Sequence, residues 1–179
     1  MKSYIKIIFF LFISTYSFSS SAEITTHSAD LDGNGKIENI KVEPEGTEVG
    51  ISVYTSDNKF VGKFSVPSHL EEVNFVNLNR DNCKQIVVWS HKKPYWTTLV
   101  IREFKNGALF QCFGGNTMCG IGADFESIPP TIIMGQTRIE QKSSPYVDEL
   151  GWELYEWNRS GFIYKGVKKD IDTSKYRFK

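Results

Sequence analysis

The stretch ADLDGNGKIENIKV, residues 29–42, places oxygen-bearing side chains at alternate positions, with two glycines among them and an apolar run behind them. A sharply turning loop that presents oxygen atoms at this spacing is what Ca²⁺ requires of a protein. Five residues offer an oxygen, at positions 1, 3, 5, 7 and 9 of the loop: Asp30, Asp32, Asn34, Lys36 (its backbone carbonyl) and Glu38. The competing interpretation is a turn rich in Asp, Asn and Gly that holds no ion.

The EF-hand is the first calcium loop to compare with this stretch, and the sequence disfavours it. An EF-hand places a bidentate Glu at position 12 and a helix on each side of the loop. Position 12 here is Lys41, whose ammonium repels a cation, and the flanking residues alternate in hydropathy as strands do.

The pattern D-x-D-G-N-G-x-x-E before an apolar strand resembles the calcium loop of FG-GAP/VCBS-type β-propeller blades, a family that includes integrin α-subunit heads and many exported bacterial proteins. The resemblance implies a calcium ion held by the side chains of Asp30, Asp32, Asn34 and Glu38 and by the carbonyl of Lys36. The family usually has Asp at the ninth position, where this chain has the longer Glu38.

A second loop repeats the frame 47 residues later, with Asn77, Asn79, Asp81 and Gln85 at positions 1, 3, 5 and 9. It keeps one carboxylate and gains the positive charge of Arg80, so we interpret it as a structural relic without a metal ion. A third unit keeps the strand entry at residues 130–133 but has lost the ligands.

Apolar residues along the chain alternate or form short runs between turn signals, which predicts strands throughout, apart from one short helical turn at SHLEE, residues 68–72. The predicted fold class is all-β, an antiparallel meander of about three propeller-blade-like units. Three blades are too few to close an ordinary propeller, so the units either have capped ends or curl into a compact sandwich.

The first 22 residues are predicted to be a secretory signal peptide, because Lys2 and Lys6 precede an apolar run and small residues follow it at 20–22. The alternative is a retained membrane anchor, and no second apolar stretch is long enough to span a membrane. The β-rich domain then covers residues 23–167, and residues 168–179 form a polar, loose tail. The predicted location is periplasmic or secreted.

Charge and cysteine content narrow the function further. The mature chain has 19 basic and 21 acidic residues, a net charge of −2 that gives no reason to bind nucleic acid. An exported chain meets oxidising conditions, so a disulfide between Cys112 and Cys119 is predicted, and Cys83 with Cys112 is the rival pairing.

The sequence offers no catalytic constellation, because zinc-peptidase pairs, nucleophile elbows and phosphate-binding lysine loops are missing from it. Ser160, Gly161 and Tyr164 form an S-G-x-x-Y motif that resembles the segment which bacterial periplasmic lysozyme inhibitors insert into their target. The alternative is an ordinary hairpin. The leading hypothesis is therefore a non-enzymatic protein that binds another protein of the cell envelope, such as an immunity or inhibitor protein against a lysozyme-like wall hydrolase. A structural or adhesive integrin-like module is the alternative.

Overall fold

The computed structural model describes residues 24–67, 69–92, 96–118, 120–139 and 149–179. In this part of the chain a single turn of 3-10 helix, Thr173–Lys175, accompanies the strands. The strands are β1 Thr25–Ala29, β2 Glu38–Glu45, β3 Glu48–Tyr54, β4 Phe60–Pro67, β5 His69–Val76, β6 Gln85–Lys92, β7 Trp96–Lys105, β8 Ala108–Thr117, β9 Ile121–Asp124, β10 Thr131–Ile139, β11 Glu149–Trp157, β12 Phe162–Lys168 and β13 Arg177–Phe178.

These strands form three antiparallel sheets, which confirms the prediction of an all-β protein. The first sheet has the order β1-β2-β3-β4, the second β5-β6-β7-β8 and the third β12-β11-β10-β9-β13. From β1 to β12, strands that are neighbours within a sheet are also neighbours in the chain, whereas β13 returns across the third sheet to pair with β9. The sheets do not close into a barrel among the described residues.

All three sheets share one construction. Each begins with a strand, passes through a polar loop, and continues with three more antiparallel strands. The last hairpin of each sheet contains a register shift between its strands. The turn of that hairpin holds a left-handed residue at Asn58, Asn106 or Arg159. A positive φ is cheapest for Gly and Asn, which explains why two of the three turns use asparagine.

The middle sheet is covered on both faces, and its strand β6 shows how. Ile86 and Val88 point into a core shared with the first sheet, whereas Val87 and Trp89 point into a core shared with the third. Residues 85–90 are all buried. Each of the four apolar side chains of residues 86–89 contributes roughly 1.5–3 kcal/mol by its burial. The stacking of the sheets therefore supplies most of the stability.

The outer face of the first sheet is polar and ends the stack. Lys41 pairs with Glu43 at 2.7 Å, and Lys63 pairs with Glu45. The Glu45 carboxyl lies over Gly50, which leaves no room for a Cβ there. A terminal repeat needs such a polar outer face to stay soluble.

The C-terminal residues are part of the third sheet, so the prediction of a loose tail over residues 168–179 is wrong. Strand β13 pairs with β9, where Arg177 lies opposite Ala123. Arg177 and Lys179 both reach Glu72 of the second sheet, at 2.9 and 3.0 Å. These contacts join two sheets, and hydropathy along the tail alone does not reveal long-range ion pairs of this kind.

Other predictions also need correction. The residues of SHLEE that the structure describes belong to strand β5 and not to a helical turn. Strands β1 and β9, TTHSA and IGAD, are short and built of small or polar residues, so their sequences carry no alternation. The predicted signal peptide lies outside the described residues. In the described part, no helix has the length and apolarity needed to cross a bilayer.

Two of the three cysteines lie in the described part of the chain. Cys83 is half-buried and Cys112 is buried, and no disulfide joins the two, so the rival pairing of Cys83 with Cys112 is wrong. Burial raises the pKa of the Cys112 thiol to about 11, with the negative charge of Glu103 adding to the rise. Cys119 lies outside the described residues, so its predicted disulfide with Cys112 stays a prediction.

Candidate metal site

The loop between β1 and β2 is fixed at both ends by buried side chains. Leu31 is completely buried in the core between the first and second sheets. Glu38, the first residue of β2, is only 2% exposed, and its Oε2 accepts a 2.8 Å hydrogen bond from the Leu31 amide. The loop therefore closes on itself between an apolar anchor and a buried carboxylate.

Backbone amides orient the two aspartates of this loop. Asp30 accepts hydrogen bonds from the amides of Gly33, at 2.8 Å, and Gly35, at 2.9 Å, one on each carboxylate oxygen. Asp32 accepts from the backbone and the side-chain amide of Asn34, at 3.2 and 2.8 Å. Gly33 and Gly35 have φ values of +73° and +82°, which let the chain turn sharply enough to present these amides.

The three carboxylates converge. Asp30, Asp32 and Glu38 each offer one oxygen, and these oxygens lie within 4.8 Å of one another. Two like charges about 5 Å apart repel by roughly 3 kcal/mol at an effective dielectric constant near 20. A bound cation would offset this repulsion, and the three side chains together could hold a metal ion.

The pKa of Glu38 reflects its burial and the same concentration of negative charge. Burial raises the pKa of its carboxyl above the ordinary value, and the charges of Asp32 and Asp30 raise it further. The hydrogen bond from the Leu31 amide opposes this rise. The ionised form of Glu38 is thus costly in the metal-free loop, and a bound cation would offset that cost.

The remaining two predicted ligands lie on the exposed side of the loop. Asn34 accepts a 2.7 Å hydrogen bond from the Lys36 amide through its Oδ1, and both residues are exposed. The structure thus brings Asp30, Asp32 and Glu38 together in one cluster. It ties Asn34 to that cluster through Asp32, and Lys36 to it through Asn34.

The second loop, between β5 and β6, has the same backbone scaffold without the charge. The Leu78 amide donates to Gln85 Oε1 at 2.9 Å, as the Leu31 amide does to Glu38. The Cys83 amide donates to Asp81 Oδ1 at 2.8 Å, which matches the bond between Lys36 and Asn34. Each pair of matched positions is separated by the same 47 residues.

Polar groups of the second loop are already committed to protein partners. Asn79 Oδ1 accepts a 2.9 Å hydrogen bond from the indole N–H of Trp157 in the third sheet. Gln85, which is fully buried, uses its amide nitrogen to reach Glu103 Oε1 at 3.3 Å. Asn79, which stands at the third ligand position of the loop, therefore joins the second sheet to the third through this hydrogen bond.

The third loop keeps one element that the sequence interpretation missed. Asp124 stands 47 residues after Asn77, and its Oδ1 accepts hydrogen bonds from the amides of Glu126 and Ser127, both at 3.1 Å. Asp124 therefore still orients its loop although the other ligand positions have changed. The constant spacing of 47 was the signal that could have identified it.

The three loops line up along one end of the stacked sheets. The Lys84 amide donates to the Leu31 carbonyl at 3.0 Å, and the Cys83 thiol lies 3.2 Å from the Asp32 carbonyl. Arg80 of the second loop donates to the Glu126 carbonyl of the third at 3.1 Å. The second loop thus fixes the backbone of the first loop through contacts with two of its carbonyl groups.

The S-G-x-x-Y motif lies at the turn between β11 and β12. Ser160 Oγ donates to Asn158 Oδ1 at 3.0 Å, and Gly161 packs against the backbone of Cys112 in the middle sheet. Tyr164 is about half exposed, and its ring lies 5.4 Å from that of Tyr155. The turn rests on the neighbouring sheet, and Ser160 and Tyr164 present their exposed parts to solvent.

Neither sequence nor fold leads to a relative with a described function. Comparisons of the chain with protein-family models, with curated proteins and with solved structures found no match. The functional inference therefore depends on the geometry of the loops, above all on the three converging carboxylates of the first.

Proposed function

We propose that this chain is an exported, calcium-binding β-repeat protein without catalytic activity that binds another protein of the cell envelope. The observation that carries the calcium part is the cluster of Asp30, Asp32 and Glu38, with one oxygen of each within 4.8 Å of the others. Two of its hydrogen bonds recur in the second loop, where Asn77, Asn79 and Gln85 replace the three carboxylates, so these carboxylates are not needed merely to form the turn.

The donor set favours Ca²⁺ over other cations. The cluster offers carboxylate oxygens without imidazole or thiolate ligands, and Zn²⁺ prefers nitrogen and sulfur. Ca²⁺ accepts six to eight oxygens in flexible geometry, which suits an exposed loop with further oxygens from Asn34 and Lys36. Bound there, the ion would supply positive charge that neutralises the carboxylates and fixes the entry to β2.

Calorimetric titration of the purified chain with Ca²⁺, Mg²⁺ and Zn²⁺ tests this part. We expect one Ca²⁺ per chain and loss of binding in the Asp30→Asn/Asp32→Asn variant. The Asp57→Asn variant is the matched control, because Asp57 is an aspartate of a neighbouring turn outside the cluster. Unchanged heats for the double variant would refute the proposed site.

The fold proposal is that each sheet is a blade of a propeller-like array. Three features support it: the sequential order of four strands, the stacking of sheets face to face, and the loop at the same place in each sheet. The polar outer face of the first sheet supports an open array with a capped end.

The partner proposal rests on different features. An exported protein with an exposed hairpin at Ser160–Tyr164 fits an immunity or inhibitor protein against a lysozyme-like hydrolase. The exposed apolar side chains favour the structural or adhesive alternative, because they are spread over all three sheets and include Phe60, Phe110 and Ile128 as well as Tyr164. An interface normally concentrates such side chains in one patch.

Two measurements separate these versions. A lysozyme assay with wild type and a Ser160→Ala/Tyr164→Ala variant tests inhibition, with Ser65→Ala/Tyr54→Ala on the first sheet as the control. Inhibition of lysozyme by wild type that is lost only in Ser160→Ala/Tyr164→Ala supports the inhibitor hypothesis. No inhibition by wild type refutes that hypothesis. Co-purification from envelope extracts with mass spectrometry then identifies a structural partner, and capture of none would count against partner binding altogether.

A further inference from the structure

A cavity of about 290 Å³ lies between strands β5 and β6 of the second sheet and strand β9 of the third, next to the C-terminal residues. Five separate parts of the chain line it: strands β5, β6 and β9, the third loop and the segment that ends in β13. Its volume is roughly that of ten water molecules in the liquid, which corresponds to a small organic molecule.

One side of this cavity is apolar. Val76, Trp89, Ala123 and Phe125 line it, and all four belong to or pack against the core between the second and third sheets. An apolar wall of this kind suits the hydrocarbon part of a ligand. Binding would be favoured because the ligand removes the apolar surface of the wall from water.

A carboxylate stands at the loop side of the rim. Glu126 lines the cavity and is exposed, and its side chain makes no ion pair with any residue that the structure describes. The neighbouring Asp124 is already used, because its Oδ1 accepts the amides of Glu126 and Ser127. Glu126 is therefore the group on this side that remains available to a cationic or hydrogen-bond-donating ligand.

Two cations, Lys175 and Arg177, also line the cavity. Lys175 is only 4.0 Å from Asp172 and largely exposed, so that pair is weak. Arg177 holds both oxygens of Glu72 through its Nη2 alone, at 2.9 and 3.0 Å. Glu72 also pairs with Lys179, so Arg177 shares its carboxylate partner with a second cation.

We propose that this cavity binds a small zwitterion of the amino-acid type with an apolar side chain, either free or as a short peptide. Its carboxylate would face Lys175 and Arg177, its ammonium would face Glu126, and its side chain would cover the wall formed by Trp89 and Phe125. The charges of the rim and the apolar wall match these three groups in sign and character. This site is separate from the calcium loop and does not depend on it.

Calorimetric titration of the full chain with leucine tests the proposal, with 3-methylbutylamine and 4-methylpentanoate as analogues that each lack one charge. We expect leucine to bind and each analogue to bind about tenfold more weakly or worse. The dipeptide Leu-Leu represents the short-peptide ligand. If leucine or Leu-Leu binds and loses affinity when either charge is removed, the proposal is supported, and the tighter of the two shows whether the ligand is a free amino acid or a peptide.

Variants assign the charges. Glu126→Gln should weaken leucine about tenfold while leaving 4-methylpentanoate unchanged, whereas Lys175→Met should weaken both. Glu48→Gln and Lys59→Met, on exposed parts of the first sheet, are the matched controls and should change nothing, and melting curves verify that every variant is folded. Absence of leucine and dipeptide binding up to about 10 mM, or equal affinity in wild type and Glu126→Gln, would overturn the proposal.

Discussion

The loops at residues 30–38 and 77–85 have one backbone scaffold and different charges. Both place a leucine in the core, and in both the leucine amide donates to a buried side chain eight residues after the start of the loop. In the first loop that side chain is Glu38, which lies beside two further carboxylates. In the second it is Gln85, which lies beside one hydrogen-bonded carboxylate, Glu103.

The difference separates the part of the acidic loop that forms the turn from the part that could hold a metal ion. Hydrogen bonds to the backbone are preserved when Glu is exchanged for Gln, because the side-chain oxygen at that place remains an acceptor. The charge is lost, and with it the capacity to attract a divalent cation. The second loop keeps these hydrogen bonds with Asn77, Asn79 and Gln85 in place of the three carboxylates, so the acidic residues of the first loop need another explanation.

The largest expected effect comes from the shared anchors. Replacing Leu31 or Leu78 by alanine removes a buried side chain and should lower the free energy of unfolding by roughly 2–5 kcal/mol in each case. Urea denaturation measures both. The account of a common scaffold predicts similar losses for the two variants, and a loss below about 1 kcal/mol for either would break the equivalence of the loops.

Metal removal comes next. With Ca²⁺ at about a hundred times its dissociation constant, binding to the folded state contributes roughly 2.7 kcal/mol. For a domain of this size EDTA should then lower the melting temperature by about 5–10 °C. Glu38→Gln supplies the control, because its melting temperature should not respond to EDTA. A wild-type curve that is unchanged by the chelator would contradict calcium stabilisation.

The reverse exchange, Gln85→Glu, introduces a buried carboxylate beside Glu103 and removes the hydrogen bond between the two. We expect a loss of roughly 1–3 kcal/mol at neutral pH, because the new buried charge faces that of Glu103. The loss should shrink when Glu103 is also changed to Gln. Equal losses in both backgrounds would mean that the two side chains do not interact.

The smallest effect concerns the tie between the second and third sheets. Asn79→Ala leaves the indole N–H of Trp157 without its acceptor and should cost about 1 kcal/mol. A double-mutant cycle with Trp157→Phe isolates the pair. Calcium binding should be unaffected, so a change in affinity in Asn79→Ala would show that the second loop acts on the first through this residue.

Alternation of apolar residues was enough to predict an all-β fold, and the spacing of acidic residues predicted the cluster of Asp30, Asp32 and Glu38 before it could be seen in three dimensions. The bounds of strands β1 and β9 could not be predicted, because TTHSA and IGAD are too short to show that alternation. The contacts of Arg177 with Glu72 escaped it because they join residues 105 positions apart in the chain. Local patterns carry no information on such pairs.

The separation of charges between the two loops is most directly tested by the number of Ca²⁺ ions that each chain binds, measured by calorimetric titration of wild type, Glu38→Gln and Asp81→Asn. The account predicts one ion in wild type, one in Asp81→Asn with unchanged affinity, and none in Glu38→Gln. Two ions in wild type, or an affinity that Glu38→Gln leaves unchanged, would contradict it.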